Sequence, residues 1–172
     1  KEIALLATER IKKPAICIAL WEEVLSNDPS DGDALNELSK LYERDRNYDK
    51  LADVLQRLAD NAEGAERIAL LTKLGQVVGD RLKDEDRAID VYKALVSLEP
   101  DNRRAQEQLK KRYVALRDWD ALENFYSTTD KWDELIRVFE REGDDPNVAV
   151  PERIDLLKRV ARLWAEKKDK LD

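Results

Sequence analysis

The chain has 172 residues, of which 40% are charged and 42% hydrophobic, and it contains 5 Gly, 5 Pro, one Cys and no His. Without histidine it has no imidazole base, no Ser–His or Cys–His nucleophile pair and no His-ligated metal, and a single cysteine excludes internal disulfides. The formal net charge of −7, from 31 basic and 38 acidic residues, disfavours binding to nucleic acid or to anionic membranes.

Composition also indicates a helical protein that does not cross a membrane. Gly and Pro together reach roughly half of their ordinary usage, which favours helices over sheets with their frequent turns. No run approaches the ~18 apolar residues of a membrane span, so membrane insertion is not expected. The chain begins at Lys1 and contains no Met, which indicates a fragment of a longer protein. We expect a cytoplasmic location, no cofactor, no metal and no nucleic-acid partner.

The apolar residues recur with helical spacing along the whole chain. Leu35, Leu38 and Leu41 fall three residues apart, as do Leu71 and Leu74, and this spacing places each set on one helix face. The sequence predicts ten helices, at residues 2–11, 14–27, 31–45, 48–61, 65–82, 85–98, 102–116, 119–127, 131–142 and 151–168.

The predicted helix boundaries carry local signals. Pro29 and Pro100 end helices, because the residue before a proline avoids the helical region. The pairs Ser30-Asp31 and Asp101-Asn102 follow these prolines and offer side-chain oxygens to the free N–H groups of the next helix.

The chain contains an internal repeat. Without any gap, residues 18–51 align with residues 89–122 at an offset of 71, and a second match joins residues 66–71 to residues 152–157. The first alignment brings together Pro29 with Pro100, Ala34 with Ala105, Leu38 with Leu109, Tyr42 with Tyr113, and Arg46 with Arg117. Half of the offset is about two helices and two short turns, which is typical of a helical-hairpin array.

These residues resemble the tetratricopeptide repeat (TPR) family. Its motif residues are matched here by Leu71, Leu74-Gly75, Val78, Ala88, Tyr92, Leu95 and Pro100. The resemblance covers about 18–126 and 151–168. It implies an all-α, right-handed superhelical solenoid of antiparallel helix pairs, in which the glycine of the Leu-Gly pair allows close packing. On this interpretation residues 1–172 form a single domain, with regular hairpins over about 14–127 and a truncated terminal repeat over 151–172.

One stretch departs from this pattern. Trp119-Asp120-Ala121-Leu122 recurs 13 residues later as Trp132-Asp133-Glu134-Leu135, and both segments begin short helices. We interpret this as an extra short helix near 119–142, within an irregular insertion of about 119–150. It is the stretch that resembles the family least.

Other features are assigned structural roles. Paired carboxylates such as Glu22-Glu23 are expected on solvated helix faces rather than in a catalytic pair. Residues 27–32 resemble a calcium loop only superficially, since Pro29 occupies a ligand position. Cys17 lies between isoleucines and is expected to be a buried hydrophobic residue. The four tryptophans, including Trp164, are expected to pack in the core.

The family resemblance implies that the first helices of successive hairpins line a groove that binds a protein or peptide segment. The residues expected there are Asn36, Lys40, Thr72, Lys73, Gln76, Arg104, Lys111, Lys158, Arg159 and Arg162, together with Glu43 and Glu107. This set carries seven positive and two negative charges, which suggests an acidic segment as the partner. We therefore expect a non-catalytic interaction scaffold. The alternatives are a spacer that self-associates through its truncated ends and a regulatory module of a larger protein.

Overall fold

A computed structural model describes residues 1–10 and 13–168 of the chain, and within these residues it contains ten α-helices and no strand. The helices are α1 (Glu2–Arg10), α2 (Pro14–Asn27), α3 (Gly32–Asp45), α4 (Tyr48–Asn61), α5 (Gly64–Gln76), α6 (Glu85–Leu98), α7 (Arg103–Leu116), α8 (Trp119–Thr129), α9 (Trp132–Asp144) and α10 (Val150–Lys168). The all-α fold and the ten helices are thus confirmed for the described part of the chain.

One predicted helix has an irregular end. The sequence predicts a single helix over 65–82, but α5 ends at Gln76 and continues as a π-helical segment, Val77–Leu82. After this segment the backbone N–H of Asp84 donates a hydrogen bond to the carbonyl of Val78 at 3.0 Å. The wider π turn therefore carries this helix directly into the turn before α6.

Short turns of one repeated type join the helices within hairpins. Arg46, Lys83, Arg117 and Asp130 have φ between 52° and 59°, and each stands directly or almost directly after a helical segment. This left-handed conformation usually falls to glycine, yet here charged residues adopt it. The scarcity of glycine therefore does not prevent tight turns in this chain.

A capping side chain follows most of these left-handed residues. Asn47, Asp84 and Asp118 each accept a hydrogen bond from a backbone N–H in the first turn of the helix that they precede. Asp31 and Asn102 do the same at the proline-containing turns, with N–O distances of 2.9 and 3.0 Å. In each of the two predicted pairs, Ser30-Asp31 and Asp101-Asn102, the second residue is thus the N-cap.

The chain divides into two compact units, Lys1–Arg112 and Tyr113–Asp172, where the sequence led us to expect one domain. In the first unit consecutive helices from α1 to α6 pack against each other. The core is made of fully buried leucines and one tryptophan from different helices, namely Trp21, Leu35, Leu38, Leu51, Leu55, Leu74 and Leu95.

Ion pairs join helices that are one repeat apart in this first unit. Lys73 of α5 lies 2.7 Å from Glu43 of α3, and Arg87 of α6 lies 3.1 Å from Asp53 of α4. Odd-numbered helices therefore neighbour odd-numbered helices, and even-numbered helices neighbour even-numbered ones. This is the arrangement of stacked antiparallel hairpins.

Two glycines of α5 and its π-helical continuation allow close packing. A Cβ added at Gly75 would lie 2.8 Å from Cζ of Tyr92, which is the close approach expected for the Leu-Gly pair. A Cβ at Gly79 would overlap the guanidinium of Arg112. This buried arginine lies 4.9 Å from the centre of the Tyr92 ring and 3.2 Å from a carboxylate oxygen of Glu85.

The second unit contains the last turn of α7 and the helices α8, α9 and α10, and α9 packs against both α8 and α10. Hairpin-type turns with a left-handed residue precede and follow α8. As a result α8 pairs with α9, although its sequence matches α4 of the regular pattern.

The tryptophans differ in their burial. Trp21 is fully buried and Trp119 is buried against Phe139, with ring centres 6.0 Å apart at 88°. Trp132 is partly exposed, and Trp164 is 46% exposed. The core role expected for Trp164 is therefore wrong, because its side of α10 is not covered by any described helix. Cys17 is buried, as expected.

Substitution of Gly75 by Ala is expected to lower the free energy of unfolding by about 1–3 kcal/mol, because the added methyl group would press on the Tyr92 ring. Urea unfolding monitored by circular dichroism measures the change. Gly32→Ala is the matched control, since a Cβ there has no neighbour within 4 Å. An equal loss in the two variants would contradict the packing role of Gly75.

Burial also predicts opposite outcomes for two tryptophans. Trp21→Ala should destabilise the fold by about 3–5 kcal/mol, because it empties a fully enclosed site. Trp164→Ala should change stability by no more than about 0.5 kcal/mol. Thermal and urea unfolding of the two variants distinguish these outcomes, and a large loss for Trp164→Ala would show that its ring is covered in solution.

Candidate functional site

The second unit brings α8 and α10 side by side in the same direction. Arg159 of α10 lies 2.6 Å from Asp120 of α8, and Arg162 lies 2.6 Å from Glu123. Nearer the helix starts, the indole N–H of Trp119 donates to Glu152 at 3.2 Å. Residue numbers increase together along both helices, so α8 and α10 are parallel neighbours, as α3 and α5 are in the first unit.

Arg159 is the centre of the charge network between these two helices. Its guanidinium contacts three carboxylates, those of Asp120, Glu123 and Asp155. Burial opposes its protonation, but the hydrogen bonds to Asp120 and Asp155 outweigh burial and raise the pKa of Arg159. Because its side chain is only 22% exposed, Arg159 mainly holds α10 to α8.

A cleft of about 570 Å³ opens beside this network. Its lining is polar and comes from α8, from the start of α9 and from α10: Asp120, Glu123, Asn124, Ser127, Trp132, Asp155, Lys158, Arg159 and Arg162. Three carboxylates and three cations face the cleft, so its formal charge is balanced. Trp132 contributes an aromatic surface, with its indole N–H held by Asp130 at 2.8 Å.

The cleft contains three of the residues that the sequence suggested for partner binding, and they have different surroundings. Arg159 and Arg162 make the ion pairs described above. Lys158 is exposed and makes no ion pair within the described part of the chain. Of the three, Lys158 is the cation whose charge stays available to a ligand.

The other suggested residues lie in the first unit, on α3, α5 and the first part of α7. They are Asn36, Lys40, Thr72, Lys73, Gln76, Arg104 and Lys111. The amide of Asn36 and the hydroxyl of Thr72 donate to carbonyls of their own helices. Lys40 also lines a separate cleft of about 530 Å³ with Arg44 and Glu37. The unit therefore presents these groups along several helices and not in one pocket.

Carboxylates neutralise much of the positive charge expected in the groove. Lys40 pairs with Glu37 at 2.6 Å, and Lys73 pairs with Glu43 at 2.7 Å. Within the described residues, Arg104, Lys111 and Lys158 are the suggested cations that make no ion pair. The available positive charge is therefore smaller than the composition of the groove suggested.

Sequence reasoning missed the acidic and neutral half of the cleft. On α8, Asp120, Asn124 and Ser127 recur at intervals of four and three residues, and Glu123 lies beside them. The same spacing joins Asp155 to the cations of α10. Polar residues at helical intervals on one face were a signal in the sequence, but the pairing of α8 with α10 was not.

The cleft has the chemistry of a binding surface. Among the described residues there is no group of three or more His, Cys, Asp or Glu side chains that could hold a metal ion. No described helix has the length and apolar character needed to cross a membrane. The cleft offers ion-pair and hydrogen-bond partners beside an aromatic ring.

Stacked antiparallel hairpins with parallel neighbours define the class as an all-α array of helical repeats. Residues 113–146 match the family described as the tetratricopeptide repeat, and the resemblance to that family inferred from the sequence is confirmed. The match falls on the stretch that we interpreted as least similar to the family, so that expectation is wrong. The interpretation of 119–150 as an insertion stays a prediction.

Solved structures provide further comparisons. A structure of MamA shares 20% identity, with 90% of this chain and 90% of that chain covered and a TM-score of 0.47. A second MamA structure shares 17% identity over 98% and 91% of the two chains, with a TM-score of 0.49. YrrB, a TPR protein with an unusual peptide-binding site, shares 16% identity over 94% and 83%, with a TM-score of 0.48. No curated protein matches the chain.

Arg159→Ala is expected to destabilise the second unit by about 1 kcal/mol at low salt, because it removes the link between α8 and α10. The loss should shrink in 1 M NaCl, where the Debye length falls to about 3 Å. Urea unfolding at both salt concentrations measures it. Lys158→Ala is the control on the same helix and should leave stability unchanged, and an equal loss there would contradict the bridging role.

Proposed function

We propose that this protein is a non-catalytic interaction scaffold that binds a protein or peptide segment in the cleft between α8 and α10. The observation that carries the proposal is Lys158, an exposed cation at the edge of a polar cleft that makes no ion pair with any residue the structure describes. Helical-repeat proteins bind partners on extended surfaces of their stacked helices, and the TPR-like fold of this chain supports the proposal.

The charges of the cleft define the partner that fits best. A carboxylate on the partner would pair with Lys158, since the nearby arginines already contact Asp120, Glu123 and Asp155. Asp120 contacts Arg159 but is 86% exposed, so it can also pair with a basic group of the same segment. A segment with an acidic residue near Lys158 and a basic residue near Asp120 therefore satisfies the cleft better than a uniformly acidic one.

The remaining lining supports a peptide rather than a small ion. Asn124 and Ser127 can hydrogen-bond a peptide backbone, and the partly exposed Trp132 offers a flat apolar surface. The cleft as a whole is lined by three helices around about 570 Å³, within the ~300–1,000 Å³ of ordinary ligand pockets. Enzymatic activity is not part of the proposal.

Peptides selected from a random display library against the wild-type chain provide the probe. For the selected peptides, Lys158→Glu should weaken binding by about tenfold or more, equivalent to about 1.4 kcal/mol, because it replaces the available cation by a repelling anion. Fluorescence polarisation with labelled peptides measures the dissociation constants.

Arg137→Glu is the matched control, because Arg137 is exposed on α9 and does not line the cleft. It makes the same charge reversal and should leave the peptide affinity unchanged. If Lys158→Glu binds the peptides as tightly as the control does, or if the library yields no binder, the proposed function is wrong.

A further inference from the structure

An apolar stripe lies exposed along α10. Ile154, Leu157 and Trp164 are 47%, 45% and 46% exposed, and Val150 is 62% exposed at the start of the helix. At 100° per residue these four side chains fall within one face of the helix. The stripe is separate from the buried face formed by Leu156 and its neighbours.

Basic residues flank this stripe on both sides. On the helical wheel Arg153 and Lys158 lie on opposite edges of it. Two carboxylates of α10 are engaged elsewhere, since Glu152 accepts from Trp119 and Asp155 contacts Arg159. A third, Glu166, lies on the opposite side of the helical wheel from the stripe. The surface around the stripe is therefore apolar in the centre and positive at its edges.

An apolar cleft with acidic residues beside it lies between α1 and α2 in the first unit. It measures about 330 Å³ and is lined by apolar side chains that include Ile3, Leu20 and Val24. Ile3 is 71% exposed. Glu23 and Asp28 line the same cleft, and Glu23 makes no ion pair within the described residues. Lys1, which also lines it, is held by Asp31 and Asp33 at 2.7 and 2.8 Å.

We propose that these two surfaces bind each other between copies of the chain, with the α10 stripe of one molecule docked in the α1–α2 cleft of a second. Trp164 is the protruding side chain that the apolar cleft receives. Arg153 and Lys158 then lie opposite Glu23 and Asp28. The two surfaces are both apolar in the centre and opposite in charge at their edges, and the occupant is a second copy because one chain carries both surfaces.

The contact has a defined symmetry. Two α10 stripes facing each other would bring basic edges together, which disfavours a two-fold dimer through α10. Docking of α10 on the α1–α2 cleft is heterologous, and such contacts repeat from molecule to molecule unless they close into a ring. One helix seated in one cleft is a small interface, and small interfaces are typical of weak association.

Analytical ultracentrifugation of the purified chain over rising concentration tests the proposal, with the average mass expected to increase. Trp164→Glu removes the protruding ring, and Ile3→Glu places a charge in the cleft. Each variant alone should stay monomeric. An equimolar mixture should form a heterodimer, because the Ile3 variant keeps the stripe and the Trp164 variant keeps the cleft.

Leu98→Glu is the matched control, since Leu98 is an apolar residue with a similar exposure of 47% on α6. It should associate as the wild type does, and circular dichroism should show that all variants keep their helices. A wild type that stays monomeric, an Ile3→Glu variant that still associates, or a mixture that forms no heterodimer would overturn the proposal. Neither test variant alters a residue that lines the cleft between α8 and α10, so a failure of the self-association test leaves the proposed peptide binding to its own test.

Discussion

The two-residue turn with a left-handed residue is the backbone constraint on which this structure depends. It reverses the chain between helices with a residue at φ near 55° followed by a helix N-cap, as at Arg117 and Asp118. Because the turn is so short, the next helix packs antiparallel against the previous one. Charged residues accept the modest strain of this conformation, and so the chain builds hairpins with few glycines.

The same turn explains why the candidate site lies in the second unit. A left-handed residue precedes α8 and another follows it, so the chain reverses direction before α8 and again after it. Helix α9 then runs antiparallel to α8, and α10 runs parallel to α8. Parallel neighbours place side chains at equal heights, and this allows Arg159 and Arg162 to meet the carboxylates of α8. The cleft and its balanced charge thus follow from helix order.

Much of the fold could be predicted from the sequence because it is local. Apolar spacing, prolines and capping residues such as Asp31 act within a few residues, and they located the helices correctly. The π-helical segment was not predicted in this way. Within it Gly79 lies against the buried guanidinium of Arg112 from α7, and a contact with a residue so far along the chain leaves no local signal in the sequence. Trp164 shows the same limit, since a residue type favours burial but only a neighbouring element provides it. The place of Trp164 in the repeat pattern did not show whether another helix would cover its side chain.

Charge pairing separates the residues that hold the fold from those that can recognise a partner. The cleft has three cations that the sequence alone does not distinguish. Arg159 and Arg162 form ion pairs with carboxylates of α8, whereas Lys158 does not. A partner that binds the arginines must first break intramolecular ion pairs, whereas one that binds Lys158 loses only water. Since Lys158 also borders the apolar stripe of α10, a peptide in the cleft and a second copy on the stripe would use adjacent sides of one helix. Occupation of one surface is then expected to lower the affinity of the other, because both compete for the same ammonium group.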